Sequence, residues 1–169
     1  MKRLGALATF WVLQAVWGIT MLTPQILSSK LATAPVSRGA WGLGLAAAGF
    51  LIEAVADFQK FRFKLNNANG GNKALYTGGL YSIVQYPNYT GEILAWTGLG
   101  IYYLSSFGPQ FGILRYVYSF LPATFVTLLL LRASGIPLTQ KSRARRFGDD
   151  AKYRKYLNDT PKWLIPGVF

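Results

Sequence analysis

The stretch YSIVQYPNYTGEILAW, residues 81–96, runs a polar Pro-Asn-Tyr turn straight into an apolar, aromatic helix, with Glu92 one turn inside it. The helix that opens here, Tyr89–Phe107, is one of four stretches long enough, or nearly so, to cross a hydrocarbon core of roughly 30 Å. The others are Leu4–Leu27, Ala40–Ala56 and Tyr116–Leu131. Hydrophobic residues make up 51% of the 169 residues and charged ones only 14%, too apolar and charge-poor for an ordinary soluble domain. Four such stretches in so short a chain leave little surface for water. The first is too long for the apolar region of a signal peptide, and no small-residue cleavage site follows it cleanly. The sequence therefore predicts an all-α integral membrane protein with about four transmembrane helices, read as one membrane domain over residues 1–169.

Cysteine and histidine are both absent. That excludes disulfides, thiolate chemistry, imidazole acid–base work and the usual zinc or haem ligation, so no metal site is expected. The net charge of +12 is unevenly placed. With four spans, the N-terminus, the 58–88 loop and the C-terminal tail share one side. That side carries Lys2, Arg3, Lys60, Arg62, Lys64, Lys73 and the basic residues from Arg132 onward, against Lys30, Arg38 and Arg115 on the other. The positive-inside rule then sets loop and tail on the cytoplasmic, stromal or matrix side, with the KSRARR and KYRKY runs as topology signals that also touch anionic lipid headgroups. The bilayer is the expected partner, together with an apolar lipid substrate or neighbouring membrane subunits. Nucleic acid is not, because no soluble recognition module is present.

Along the chain, span one is expected to end near Pro24, and the loop SSKLATAPVSRGA follows. GLGLAAAG lies inside an apolar helix with no preceding strand, so the dinucleotide fingerprint fails. Gly42, Ala46 and Gly49 recur at helical spacing and suggest a small-residue face for close helix packing. DFQKFRFK continues span two out of the membrane and NNANGGN marks a turn. ALYTGGLYSIVQYPNY then re-enters with tyrosines suited to the interface. SSFGPQFG joins spans three and four, span four ends at Arg132, and SGIP breaks the helix. The tail FGDDAKYRKYLNDTPKWLIP reads as an amphipathic cytoplasmic-side helix followed by an extended end.

Polar groups converge at one membrane face. Glu53 and Asp57 are four apart and share a helix face, with Lys64 seven beyond Asp57. Asn88 and Glu92 are likewise four apart where span three enters, and Arg132 closes span four. Taken singly, each residue fits a shallow snorkelling position or a structural pair such as Glu53–Arg132. Taken together they suggest one polar pocket, because ionisable groups within spans normally face a partner or a water-filled cavity. Carboxylates and an asparagine suit ribose hydroxyls or a carboxamide, while Lys and Arg suit phosphates. A phosphorylated dinucleotide needs both kinds of group.

EAVADFQKFRFK, GGLYSIVQYPNYTGEILAWTG, LLLLRASGIPL and DDAKYRKYLNDTPKWLIP resemble the C-terminal domain of steroid 5-alpha reductases and the DUF1295-like membrane reductases that carry it. More distantly they resemble isoprenylcysteine carboxyl methyltransferases. The resemblance runs from about Phe10 to the end, and the Pro-Asn-Tyr-x-Gly-Glu block is its most specific part. It implies NADPH held at the cytoplasmic end of a helical membrane fold, and reduction of a carbon–carbon double bond conjugated to a ketone in a steroid or isoprenoid-type lipid. By motif position, the cofactor contacts fall on Glu53, Asp57, Lys64, Asn88, Tyr89, Glu92 and Arg132. Departures accompany the match. Val84, Gln85 and Tyr86 stand where many relatives carry Ser-Arg-His before the Pro-Asn-Tyr, which weakens a reading as an S-adenosylmethionine-dependent methyltransferase. Gln140 replaces a glutamate in Pro-Leu-x-Glu-Lys. The family's ketone-polarising Tyr and Glu lie in N-terminal helices without counterpart here, so no catalytic residue is assigned. A reductase therefore stands beside a catalytically degenerate accessory subunit of a larger organellar or photosynthetic membrane complex, with the methyltransferase third.

Overall fold

The computed structural model describes residues 2–31, 39–67, 74–161 and 163–164. Most of the loop SSKLATAPVSRGA, most of NNANGGN, the cations Arg38, Lys73 and Lys162, and the expected extended end after Leu164 lie outside the described residues. Among those described, every regular element is helical. They are α1 (Lys2–Leu31), α2 (Ala40–Asn66), α3 (Pro87–Ser106), α4 (Leu114–Leu128), α5 (Ile136–Phe147) and α6 (Ala151–Asp159), with 3-10 turns at Gly79–Ser82 and Pro109–Phe111 and a π turn at Leu129–Ala133.

Among the described residues, two stretches, Ala40–Asn66 and Leu114–Phe147, are long and apolar enough to cross a membrane. Only 17% and 28% of their most apolar windows are buried within the protein, so they are not the enclosed core helices of a soluble fold. The exposed side chains include Trp11, Ile19, Trp41, Phe50, Leu51 and Ile113, between 61% and 73% accessible. Surface of that kind requires an apolar solvent. The protein is a helical membrane protein. Of the four spans expected, α3 is a helix but falls short of that apolar standard. Asn88, Glu92, Tyr102, Tyr103, Ser105 and Ser106 dilute its apolar run.

The contacts divide the chain into two units. In the unit formed by residues 1–45 and 96–125, α1 does not end near Pro24 as expected but continues to Leu31. Proline removes one backbone donor from the helix ladder. Threonine hydroxyls are hydrogen-bonded to the same stretch, Thr20 Oγ1 donating to the Val16 carbonyl at 2.7 Å and Thr23 Oγ1 to that of Ile19 at 2.6 Å. Trp17 meets Phe125 edge-on at 5.8 Å. A methyl on Gly42 would sit 2.7 Å from the Gly98 carbonyl, so α2 and α3 touch backbone to backbone there.

In the unit formed by residues 46–95 and 126–169, the small-residue face continues at Gly49, which packs on Gly91 and Ala95. α4 runs into the π turn, where Ser134 N bonds to the Leu129 carbonyl at 2.9 Å, and the chain bends at Ser134–Gly135 before α5 begins. This is the break expected at SGIP. α6 is the expected tail helix, capped by Asp150, whose carboxylate accepts from Lys152 N at 2.8 Å.

Tyr81 and Tyr86 depart from the interfacial placement expected of them. Each is 1% exposed and forms part of the core. Tyr86 packs with Ile136 and Leu164 against Tyr89, Ile93 and Leu131. The reason is a clasp between residues 81–90 and the end of the chain. Tyr86 N bonds to the Trp163 carbonyl at 3.0 Å, Gln85 Nε2 to that of Thr160 at 2.8 Å and Thr90 Oγ1 to that of Leu164 at 2.6 Å. Tyr156 OH donates to the Tyr81 carbonyl at 2.8 Å. Gln85 is buried, and truncating it strands the Thr160 carbonyl, at about 1–3 kcal/mol for a buried polar group. Gln85→Ala is therefore expected to open the tail to protease near residue 160 before the helices unfold, while Ser82→Ala, at an exposed site, leaves the digestion pattern unchanged. Limited proteolysis read by mass spectrometry checks both.

Candidate functional site

The second unit contains a cavity of about 350 Å³. α2 supplies Lys60, Phe63 and Lys64, the segment before α3 supplies Tyr76 and Tyr81, and α5 supplies Thr139, Ser142, Arg143, Arg146 and Phe147. Spacing explains the convergence. Lys60 and Lys64 are four apart on α2, while Thr139, Arg143 and Arg146 recur every three or four residues on α5, so each helix turns one face to the cavity. Gly79, at φ +56°, fixes the turn that brings Tyr81 in, and Leu80 N bonds Gln59 Oε1 across to α2 at 3.1 Å. Aromatic contacts from Tyr76 to Phe63 and Tyr81, at 5.1 and 5.5 Å, stiffen one wall.

Among the described residues, four cations line this cavity and no acidic side chain does. Arg143 is the centre of it. It is only 7% exposed, its guanidinium lies 4.7 Å from the Tyr86 ring centroid, and its Nη1 is buried without a hydrogen-bond partner among the described residues. Tyr86 in turn stacks on Tyr89 at 5.5 Å with the planes 6° apart. Burial pushes the Tyr86 phenol up to about 12, against the opposing pull of Arg143, so it stays protonated at neutral pH. Burial likewise raises Tyr81, with Asp57 adding to the effect and Arg143 opposing it. Lys60 lies 5.9 Å from the Tyr81 ring centroid and close enough to Lys64 and Arg143 for their charges to act on it. A buried guanidinium with an idle donor, among like charges, is costly unless an anion completes it.

Of the residues expected from sequence, Lys64 lines the cavity. Tyr89 is tied to its wall by a 3.3 Å hydrogen bond between the Tyr89 and Thr139 hydroxyls. Glu53, Asp57 and Glu92 lie within electrostatic reach of one another. The Gly91 backbone abuts Glu53, which brings α2 and α3 together at this point. Asp57 also acts on Lys60 and Tyr81 and so links the carboxylates to the cavity. Asn88 is half-buried and Arg132 exposed in the π turn, and neither lines the cavity. The sequence reads Lys60 as a topology charge and the KSRARR run as a topology signal that also touches anionic lipid headgroups, so Arg143 and Arg146 are not among the expected site residues. The spacing of Arg143 from Ile136 and Phe147 on one face of α5 was the available signal. Among the described residues no group of acidic side chains has the arrangement of a metal site.

Fold and cavity define a helical membrane protein with a cation-lined cavity. The chain belongs to the DUF1295 family, described as a protein of unknown function, which matches residues 2–160; this is the steroid 5-alpha reductase C-terminal-like family. It is similar to a very-long-chain enoyl-CoA reductase of Dictyostelium discoideum, 34% identical over 86 residues, or 50% of this chain and 28% of that protein. It is also similar to a probable O-methyltransferase, ustE, of Ustilaginoidea virens, 39% identical over 62 residues, or 37% of this chain and 21% of that protein. The matches thus span less than a third of either relative. No solved structure matches the chain.

Proposed function

We propose that the protein is a multi-pass membrane reductase that binds NADPH in the cationic cavity and acts on a carbon–carbon double bond conjugated to a carbonyl in an apolar lipid of steroid, isoprenoid or acyl type. The observation that carries this reading is the idle, buried Arg143 Nη1 among Lys60, Lys64 and Arg146. These donors fit a ligand bearing several phosphates. The cavity holds the phosphate-bearing part of such a ligand, not a whole dinucleotide. The name of the Dictyostelium relative, an enoyl-CoA reductase, supports the same chemistry.

Within this reading, Arg143 and Arg146 grip phosphate oxygens and the two lysines supply additional charge. Glu53, Asp57 and Glu92 accept hydrogen bonds from ribose hydroxyls or a carboxamide, and the Tyr89–Thr139 bond holds the cavity wall. NADPH supplies the hydride when bound. The four-span arrangement with the basic loop and tail on the cytoplasmic or equivalent side belongs to the same proposal, since it opens the cavity to soluble nucleotide while the apolar helices meet the lipid.

Nucleotide binding to the purified protein in mild detergent tests it. NADPH is expected to bind at least about tenfold more tightly than NADH, the worth of one charge-assisted contact to the additional phosphate. The similarity to a probable O-methyltransferase favours a second reading, in which S-adenosylmethionine binds instead. Failure of both ligands in a folded protein would sink both enzyme readings and leave the accessory role.

A further inference from the structure

α5 has a second face that folding does not use. Ile136 and Arg143 turn inward and are buried. Leu138, Lys141, Ser142 and Arg145, spaced three, four and seven apart, share the opposite side. With Arg146 they line a cleft of about 390 Å³ that adjoins the inner cavity, sharing Leu138, Ser142 and Arg146 with it. Among the described residues the cleft's charged lining is three cations, with no acidic side chain. The Asp150 carboxylate, nearby in sequence, is already engaged as the cap of α6.

The position of this cleft identifies its occupant. α5, a polar and basic helix, follows directly on α4 across the Ser134–Gly135 bend, and the stretch Leu114–Phe147 contains an apolar run long enough to cross a membrane. Leu138 is 58% exposed at the cleft, as Leu128 is on α4 at 57%. A soluble phosphate would need only the cations. An exposed leucine beside them, at the end of a membrane-crossing stretch, fits a group that joins a phosphate to an acyl chain.

We propose that the outer face of α5 holds the headgroup of an anionic phospholipid, with Lys141 and Arg145 on its phosphate and Leu138 against its glycerol and upper acyl carbons. Lys141 and Arg145 line only this cleft and not the inner cavity, so the proposal stands apart from nucleotide binding.

The test uses the full chain in mild detergent, titrated with dioleoylphosphatidylglycerol or dioleoylphosphatidylcholine, with bound lipid counted by native mass spectrometry. The wild type should retain one phosphatidylglycerol and discriminate against phosphatidylcholine. Lys141→Gln/Arg145→Gln should weaken phosphatidylglycerol binding roughly 30-fold, given what two surface cations contribute near an anionic leaflet. Lys152→Gln/Lys155→Gln, which removes the same charge from the exposed face of α6, should stay near wild type. Equal retention of both lipids by the wild type would overturn the proposal without recourse to any variant. Equal losses in the two double variants would reduce it to a diffuse field. Glycerol 1-phosphate binding as tightly as the lipid would mean a soluble-anion site.

Discussion

Arg143→Gln is expected to lower NADPH affinity about 100-fold while leaving the ligand-free protein as stable as before. The two halves of that result have one cause. In the free protein Arg143 is buried, its Nη1 has no partner, and Lys60 lies within electrostatic reach. Its contact with the Tyr86 ring, at 4.7 Å, contributes on the order of 0.5–2 kcal/mol. Burial of an incompletely bonded cation opposes that by a similar or larger amount. Glutamine removes both, so the melting temperature without ligand should move by no more than about 3 °C, the equivalent of about 1 kcal/mol in a chain of this size. With ligand the balance changes. A guanidinium fork on a phosphate is worth about 1.5–3 kcal/mol per charge-assisted bond, and two such bonds account for the loss. Arg143→Lys keeps the charge and forfeits the fork, so it should fall between the two. Calorimetric titration and thermal melting of the three proteins measure both quantities. A ligand-free Arg143→Gln that is severely destabilised would make the arginine a structural strut, and unchanged NADPH affinity would place the phosphates elsewhere.

How much of this was legible beforehand depends on which residues carry it. The helical membrane class followed from apolar run lengths, and α2 and the α4–α5 stretch meet that standard. The close approach at Gly42 and Gly49 was readable because small residues at helical spacing have one main use in a membrane. The tyrosines of residues 81–86 were not readable. Their burial depends on hydrogen bonds to residues 156–164, some 75 positions away. No local pattern reports such a partner. Arg143 was hidden by its company: in KSRARR Arg143 is buried and Arg146 lines the cavity, while Lys141 and Arg145 do not. Charge counting treats them alike, and only the packing of α5 separates them. Spacing places Glu53 and Asp57 on one helix face, and the shared membrane face joins Glu92 to them, but neither reveals that a different set of residues lines the cavity.

Gly91→Ala is expected to destabilise the protein by about 3 kcal/mol, and Gly91→Leu to prevent its recovery as a monodisperse species. Gly91 lies within the Pro-Asn-Tyr-x-Gly-Glu block, at the point where α3 crosses α2. A methyl group there would fall 2.5 Å from the Glu53 backbone nitrogen and 2.6 Å from the Gly49 carbonyl oxygen. Both neighbours are helix backbone, which cannot rotate aside as a side chain can. The helices must separate, which forfeits the contacts beside the crossing, and overpacking of this kind costs about 1–3 kcal/mol or more. Gly44 supplies the control within α2, because a methyl there meets nothing within 4 Å. Gly44→Ala removes the helix penalty of glycine and should change stability by less than about 1 kcal/mol, toward greater stability. Thermal unfolding in detergent, with size-exclusion profiles of each variant, separates the cases. Equal behaviour of Gly91→Ala and Gly44→Ala would mean that α2 and α3 do not touch at Gly91. The close approach of Glu53 and Glu92 would then lose its structural basis, since that glycine is what lets α2 and α3 come near enough for the two carboxylates to act on each other.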